Sequence, residues 1–398
     1  MKRIAIFCDG TWNTPDATHP TNVFHLHRIT RRTAEDGTTQ ILKYIPGVGT
    51  GFGKTGWRKK LDRITGGVFG VGVTRNILEG YTFLIEQYEP GDEIYVFGFS
   101  RGAFTARSLV GLIRASGLPR HTEAWKAGEA LKRYRDNDPS TKPSSEESHA
   151  FRFGYSPDVV TSQKEADWRE AQGHPPVPML TVTYLGIWDT VGALGIPGYY
   201  KTLSRIFNQS QGFHDTQLTG MVMAARHAVS IDERRKAFPP TLWGNLGDLN
   251  RENPDRKRSY QQLWFAGDHG SVGGGGDIAG LSNITLGWVV EGAREQGLEF
   301  DGTQLQVFAA EANALEPSLF NQSGPPGFAT RMLRRRVLDR VGRMEVPDPA
   351  TGEMRKVPIG PDYYWDISPP AKERYLALSD YRPPALRPFD ADLTRPDT

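Results

Sequence analysis

The chain has 398 residues, 38% of them hydrophobic, enough for a large core. Its 48 Lys and Arg against 46 Asp and Glu leave a formal net charge of +2, so nothing electrostatic points to nucleic acid or a strongly acidic partner. The lone cysteine, Cys8, excludes an intrachain disulfide and fits a reducing compartment.

The first apolar run, Ile4–Cys8, is too short for a secretory signal and ends at Asp9. No run approaches the roughly 18 apolar residues of a membrane span. We therefore expect a soluble protein made in the cytoplasm, with export by a route that reads no N-terminal signal left open. Arg3–Cys8 and Gln40–Ile45 read as buried strands. Thr74–Tyr88 has helical spacing, with apolar residues at Ile77, Leu78, Tyr81, Leu84 and Ile85. Glu93–Gly98 is a third strand, and Arg101–Ser116 a helix directly after it. Pro119–Pro178 changes character: it is polar and Pro-rich with scattered aromatics, and reads as an insertion, partly helical, lying over the sheet rim. Leu180–Trp188 is a fourth strand, Leu218–Val229 a helix, Gln262–Ala266 a fifth strand and Asn283–Arg294 a helix. From residue 314 the chain is rich in Pro and Arg, and its last twenty residues are expected to be extended, wrapping the surface or trailing from it.

Strands alternating with helices predict an α/β fold: an α/β-hydrolase-type, mostly parallel sheet with helices on both faces. The catalytic domain spans 1–313, with an inserted cap at about 119–178, and 314–398 form a C-terminal extension packed on or trailing from the core.

Gly98-Phe99-Ser100-Arg101-Gly102 fits G-x-S-x-G, and its setting makes it specific. It ends one strand and opens a helix, so the turn strains the serine backbone and demands small neighbours at Gly98 and Gly102. Such a turn lifts the Ser100 hydroxyl above the sheet edge, at a helix N-terminus suited to negative charge. The plain alternative is a Gly-Ser turn before a helix.

A serine nucleophile needs a base, and the base an orienting carboxylate, in the order Ser, acid, His for this fold. Six histidines follow Ser100. His121, His149 and His174 lie in the insertion, His214 in a polar loop, and His227 in a helical pattern that suits packing or capping. His269 alone sits just beyond a strand, before the glycine run Gly273–Gly276, and is the candidate base. Asp189 ends the fourth strand on the same rim as Ser100 and is the candidate acid. Asp232 and Asp268 are rivals, and a simple turn-capping aspartate is the plain reading. Oxyanion donors are expected from the N–H of Arg101 and from Gly10 or Thr11 in the loop Asp9–Asn13, with Asp9 bracing it. An Asx-type turn explains the same residues.

Gly47–Thr55 imitates a phosphate loop, but Val48 stands where that motif needs glycine. An aspartate-phosphatase motif would need Asp at Phe7.

Five segments in order, CDGTWN (8–13), GFSRGAFTAR (98–107), GIWDTVGALG (186–195), HAVSIDERR (227–235) and WFAGDHGSVGGG (264–275), together resemble the α/β-hydrolase domain family that includes phospholipase effectors of type VI secretion. The resemblance covers roughly the first 310 residues. It implies action on phospholipid acyl esters and a triad of Ser100, Asp189 and His269. It departs at Ser271 and Gly276, where the family often carries Asp and Tyr.

The expected function is hydrolysis of carboxylic esters, lipid or phospholipid, through an acyl-enzyme, with no metal or organic cofactor. The partners expected are a small-molecule or lipid ester and transient contact with a membrane surface. A catalytically silent hydrolase-fold binding module is the alternative. Trp125, Phe151, Phe153 and Trp168 of the insertion would either line an acyl pocket or touch lipid, or else pin the insertion to the core.

Overall fold

The computed structural model describes residues 1–10, 13, 16–48, 68–136, 138–191, 217–233, 235, 238–253, 259–318 and 360–395, with backbone alone at 68–71, 343–347 and 354–358. Six strands form one wholly parallel sheet: β1 (Arg3–Cys8), β2 (Gln40–Ile45), β3 (Glu93–Phe99), β4 (Tyr184–Trp188), β5 (Ala225–Ser230) and β6 (Tyr260–Phe265), in the order β2-β1-β3-β4-β5-β6. Period-two alternation divides the side chains of each strand between two covered faces. Ile4, Ile6, Ile94 and Val96 enter one core, and Ala5, Phe7, Tyr95 and Phe97 the other. The first face carries α2 (Val68–Gln87) and α3 (Arg101–Ser116); the second carries α1 (Asn22–Ile29) and α9 (Gly280–Glu295). The chain leaves β1 for β2 on one side and reaches β3 on the other. Right-handed crossovers then place the connecting helices on opposite faces. The strand order reverses between β1 and β3, and it is at the C-terminal ends flanking such a reversal that open α/β sheets bind ligands.

Register sets the rim. Cys8 pairs with Gly98, Phe99 with Trp188, Trp188 with Ala228, and Ser230 with Phe265. Asp9, Ser100, Asp189 and the segment running to His269 therefore all leave the sheet at one edge.

Three expectations need correction. Leu218–Val229 is not a helix: Ala225–Ser230 is a fully buried strand inside the sheet. A short apolar run buried on both sides carries no period that separates strand from helix. The insertion is helical, as α4 (Ala127–Tyr134), α5 (Glu146–Tyr155) and α6 (Gln163–Ala171), but it does not cap the Ser100 rim. Its contacts run along α3 toward the end remote from Ser100. Tyr134 packs on Gly111, Arg152 donates to the Ala115 carbonyl at 3.3 Å, and Leu118 donates to Ser156 at 3.0 Å. Nearly all of α3 is buried, and the insertion covers its far end. Phe151 stacks on Tyr155 and packs with it on the first core, whereas Phe153 stacks on His174 and Trp168 lies edge-on to Phe153, within the insertion. Trp125 alone of the four is strongly exposed. Third, residues 379–395 are not extended: they pack on the core, with helical turns at 387–389 and 390–393. Leu386 and Leu393 are buried beneath α11 (Pro369–Ala377) and α12 (Asp390–Leu393), against the outer strand β6. β7 (Arg343–Pro347) and β8 (Met354–Pro358) form an antiparallel hairpin. Among the described residues no helix is long and apolar enough to cross a membrane.

The insertion closes on a buried ion cluster. Glu165 accepts from Arg152 Nε and Arg169 Nη2, both at 2.6 Å, and from the Thr161 amide at 3.0 Å. Burial alone would push the Glu165 carboxyl up, but the Arg152 guanidinium and the Thr161 amide hold it below its usual range. Glu165→Ala leaves two guanidinium groups buried without it. It should destabilise the chain by about 3–5 kcal/mol in urea unfolding. A loss under about 1 kcal/mol would show that the cluster does not anchor the insertion.

Candidate active site

Among the described residues only two non-glycine positions have positive φ: Ser100 at 58° and Asp189 at 35°. Such backbone strain persists only where the surroundings over-determine it. At Ser100 the cause is visible. A Cβ on Gly98 would sit 2.5 Å from the Gly102 carbonyl oxygen, and one on Gly102 only 2.1 Å from the carbonyl oxygen of Cys8. Only glycine lets the first turn of α3 rest against β1. The Ser100 amide donates to the Trp188 carbonyl at 3.0 Å, which fixes the elbow to β4.

Asp189 leaves β4 fully buried. His269 Nδ1 lies 2.6 Å from Asp189 Oδ2, and the Ser230 amide donates to Oδ1 at 3.0 Å. Burial would raise the Asp189 carboxyl, but the bond and charge of His269 and the Ser230 amide bring it below its usual value. With Asp189 ionised, Nδ1 is the donor in this bond, and in the neutral ring the lone pair then falls on Nε2. The ring is held beside Phe99, the residue before Ser100, with centroids 4.6 Å apart, and against the edge of Phe238 at 5.0 Å. No hydrogen bond joins Ser100 to His269 among the described residues. In substrate-free enzymes that bond is often long and tightens in the complex.

Gly10 brings the β1 loop to the serine: a Cβ there would lie 3.3 Å from Ser100 Cβ. Its N–H, however, donates to Asp9 Oδ1 at 2.6 Å. Arg101 opens α3, so its amide sits at the helix's positive end. Thr11 lies outside the described residues, as do His214 and most of the phosphate-loop lookalike. Asp9 is buried and also accepts from Thr21 Oγ1 at 2.8 Å and the Tyr44 hydroxyl at 2.7 Å. Burial raises its carboxyl despite those donors. Thr21 caps α1 and pairs with Gly274, tying the Asp9 loop to the glycine run. Gly273 leaves no room for a Cβ against the Phe99 ring, 1.9 Å away. Ser271 bonds Asp268 Oδ1 through both amide (2.9 Å) and hydroxyl (3.0 Å).

The rival acids have other tasks. Asp268 is the N-cap of α8 (His269–Gly273), and Asp232 accepts the Gly267 amide at 2.7 Å. Glu233, Arg235 and Phe238 escaped the residue-by-residue reading. Glu233 accepts the His269 amide at 3.3 Å and pairs with Arg235 at 2.6 Å, and Arg235 covers the Phe238 ring. Their signal was the charged run that follows β5.

A family model described as the catalytic domain of Tle1-like type VI secretion phospholipase effectors matches residues 2–292. The chain belongs to this family. Ser100, Asp189 and His269 all fall inside the matched span, whereas the C-terminal extension lies beyond it. The uncharacterized protein YEL023C of Saccharomyces cerevisiae is 28% identical over 244 residues, covering 60% of this chain and 32% of its own. The chain thus spans about a third of that relative's length. The Tle1 effector solved bound to the VgrG spike of the type 6 secretion system is similar at 13% identity and TM-score 0.45, with 90% of each chain covered. An uncharacterized Pseudomonas aeruginosa protein is similar at 15% identity and TM-score 0.38, over 78% of this chain and 48% of its own.

His227 braces the turn at Asp189. It is wholly buried on β5, its Nδ1 is 3.0 Å from Gln262 Oε1, and its Nε2 accepts the Thr190 amide at 3.3 Å. Burial lowers it from 6.5 to about 3. An unfolded chain takes up a proton near its ordinary value that the folded chain refuses. Stability from His227 is therefore complete above pH 6.5 and lost as pH falls toward 3, at up to about 1.4 kcal/mol per pH unit. His227→Gln should flatten that slope in urea unfolding at pH 7, 6 and 5. An unchanged slope would contradict it.

Proposed function

We propose that the protein is a serine hydrolase that cleaves carboxylic esters, with lipid or phospholipid acyl esters as the substrate class. The observation that carries this is the buried Asp189–His269 pair at 2.6 Å, set beside the strained Ser100. Ser100 Oγ attacks the acyl carbonyl as His269 Nε2 takes its proton. Asp189 holds the imidazole tautomer and stabilises the imidazolium. The Arg101 amide and an amide of the Gly10–Thr11 loop receive the oxyanion. His269 then protonates the leaving alcohol, and water, deprotonated by the same nitrogen, releases the acid. The sequence of steps needs no metal or organic cofactor.

The insertion lies away from the rim, so the choice of a lipid rests on the family, whose members are described as phospholipase effectors. Transient contact with a membrane surface and signal-independent export are part of the same proposal. A silent binding module would keep the fold and leave every ester intact.

Ser100→Ala should abolish release of fatty acid from phospholipid vesicles and from a short soluble ester, a loss of up to roughly 10⁶-fold in kcat. Asp189→Asn should cost roughly 10⁴-fold by favouring the wrong tautomer. Asp268→Asn should fall far less. Turnover that survives in Ser100→Ala, or Asp268→Asn crippled while Asp189→Asn stays active, would overturn the assignment.

A further inference from the structure

The extension beyond the family match is joined to the histidine loop. Ile367 pairs with Trp264 on β6, and the Ser368 amide donates to the Trp264 carbonyl at 3.0 Å. Ile367, Ala371, Tyr375, Leu386 and Leu393 share a buried cluster with Val229 and Trp264, the ends of β5 and β6. From this docked unit the Tyr381 hydroxyl donates to Asp232 Oδ2 at 3.0 Å. That same oxygen accepts the Gly267 amide at 2.7 Å, and the Asp232 amide returns a bond to the Gly267 carbonyl at 3.0 Å. Gly267 has φ +105°, and a Cβ there would fall 2.5 Å from Ser271 Cβ, so its turn has one way to fit. His269 follows two residues later.

Segment 230–233 is consequently a bracket. Ser230 holds Asp189, Asp232 holds Gly267, and Glu233 holds the His269 amide. Within this set Tyr381 is the contact that comes from outside the family-matched span. Burial and the neighbouring Asp232 keep its phenol protonated, and so a donor.

We propose that the C-terminal extension is a working part of the catalytic site, with Tyr381 a positioning residue that orients the His269 loop through Asp232. The proposal rests on the serine-hydrolase reading above. Placement errors near 1 Å at a catalytic base cost up to about 10²-fold in rate. Loss of one hydroxyl from the bracket is a fraction of that.

The full chain should be assayed on a short soluble ester, with melting temperature measured in parallel. Tyr381→Phe keeps the ring and removes one hydroxyl. Its kcat should fall about 10-fold with KM unchanged, while melting shifts by less than about 4 °C. Asp232→Ala should lose more, and Asp232→Asn, which keeps an acceptor oxygen, should lose less than Asp232→Ala. The Tyr381→Phe, Asp232→Ala double variant should lose no more than Asp232→Ala alone, since both act through one oxygen. Leu376→Ala, exposed on the same unit, should match the wild type. The Asp232 pair reads out the bracket even if Tyr381→Phe folds poorly. Wild-type kcat in Tyr381→Phe, losses that multiply in the double variant, or Asp232→Asn no better than Asp232→Ala would overturn the positioning role. A wild type that hydrolyses no ester and takes no fluorophosphonate would fell the hydrolase reading, and this proposal with it.

Discussion

The rim depends on one close approach, that of the first turn of α3 to the backbone of β1. Because β1 and β3 are neighbours with Cys8 opposite Gly98, the helix that follows β3 must pass over the end of β1. Gly102 meets the carbonyl oxygens of Cys8 and Asp9 with no space for a side chain. The chain absorbs the sharp reversal at Ser100, at a cost of order 1–3 kcal/mol. α3 is buried over almost its whole length, against the sheet and α2 and, at its far end, the insertion. The insertion lies behind Ser100: it covers the far end of the helix whose first turn strains that residue.

Two buried carboxylates then stand on the rim in different surroundings. Asp189 has an imidazole partner, which outweighs burial and favours its ionised form. Asp9 has neutral donors from Tyr44, Thr21 and Gly10, and burial wins. The same residue type is sorted by its neighbours into an orienting charge and a loop brace. The brace reaches Gly274 through Thr21, while the 230–233 bracket reaches Gly267. The histidine loop is therefore held from both sides, with Phe99 against Gly273 beneath it.

Much of this was legible because strand ends carry the chemistry. Arg3–Cys8 and Gln40–Ile45 are apolar runs between polar turns, and their limits in the structure are the limits in the sequence. Ser100, Asp189 and His269 could be chosen because each follows such a run. Ala225–Ser230 was not legible: alanine, methionine and leucine in and before it favour a helix, and only its place between β4 and β6 makes it a strand. The insertion's aromatics were visible, but not the face they would take. Glu233 and Tyr381 act on groups far along the chain, so the charged run after β5 marked the first only faintly and nothing local marked the second.

The most direct test of this account is peptide mass spectrometry of the protein after reaction with a fluorophosphonate. The account predicts one adduct, on Ser100, with its rate of formation collapsing in His269→Ala while the fold stays intact. An adduct on another residue, or labelling of Ser100 that is indifferent to His269, would contradict it.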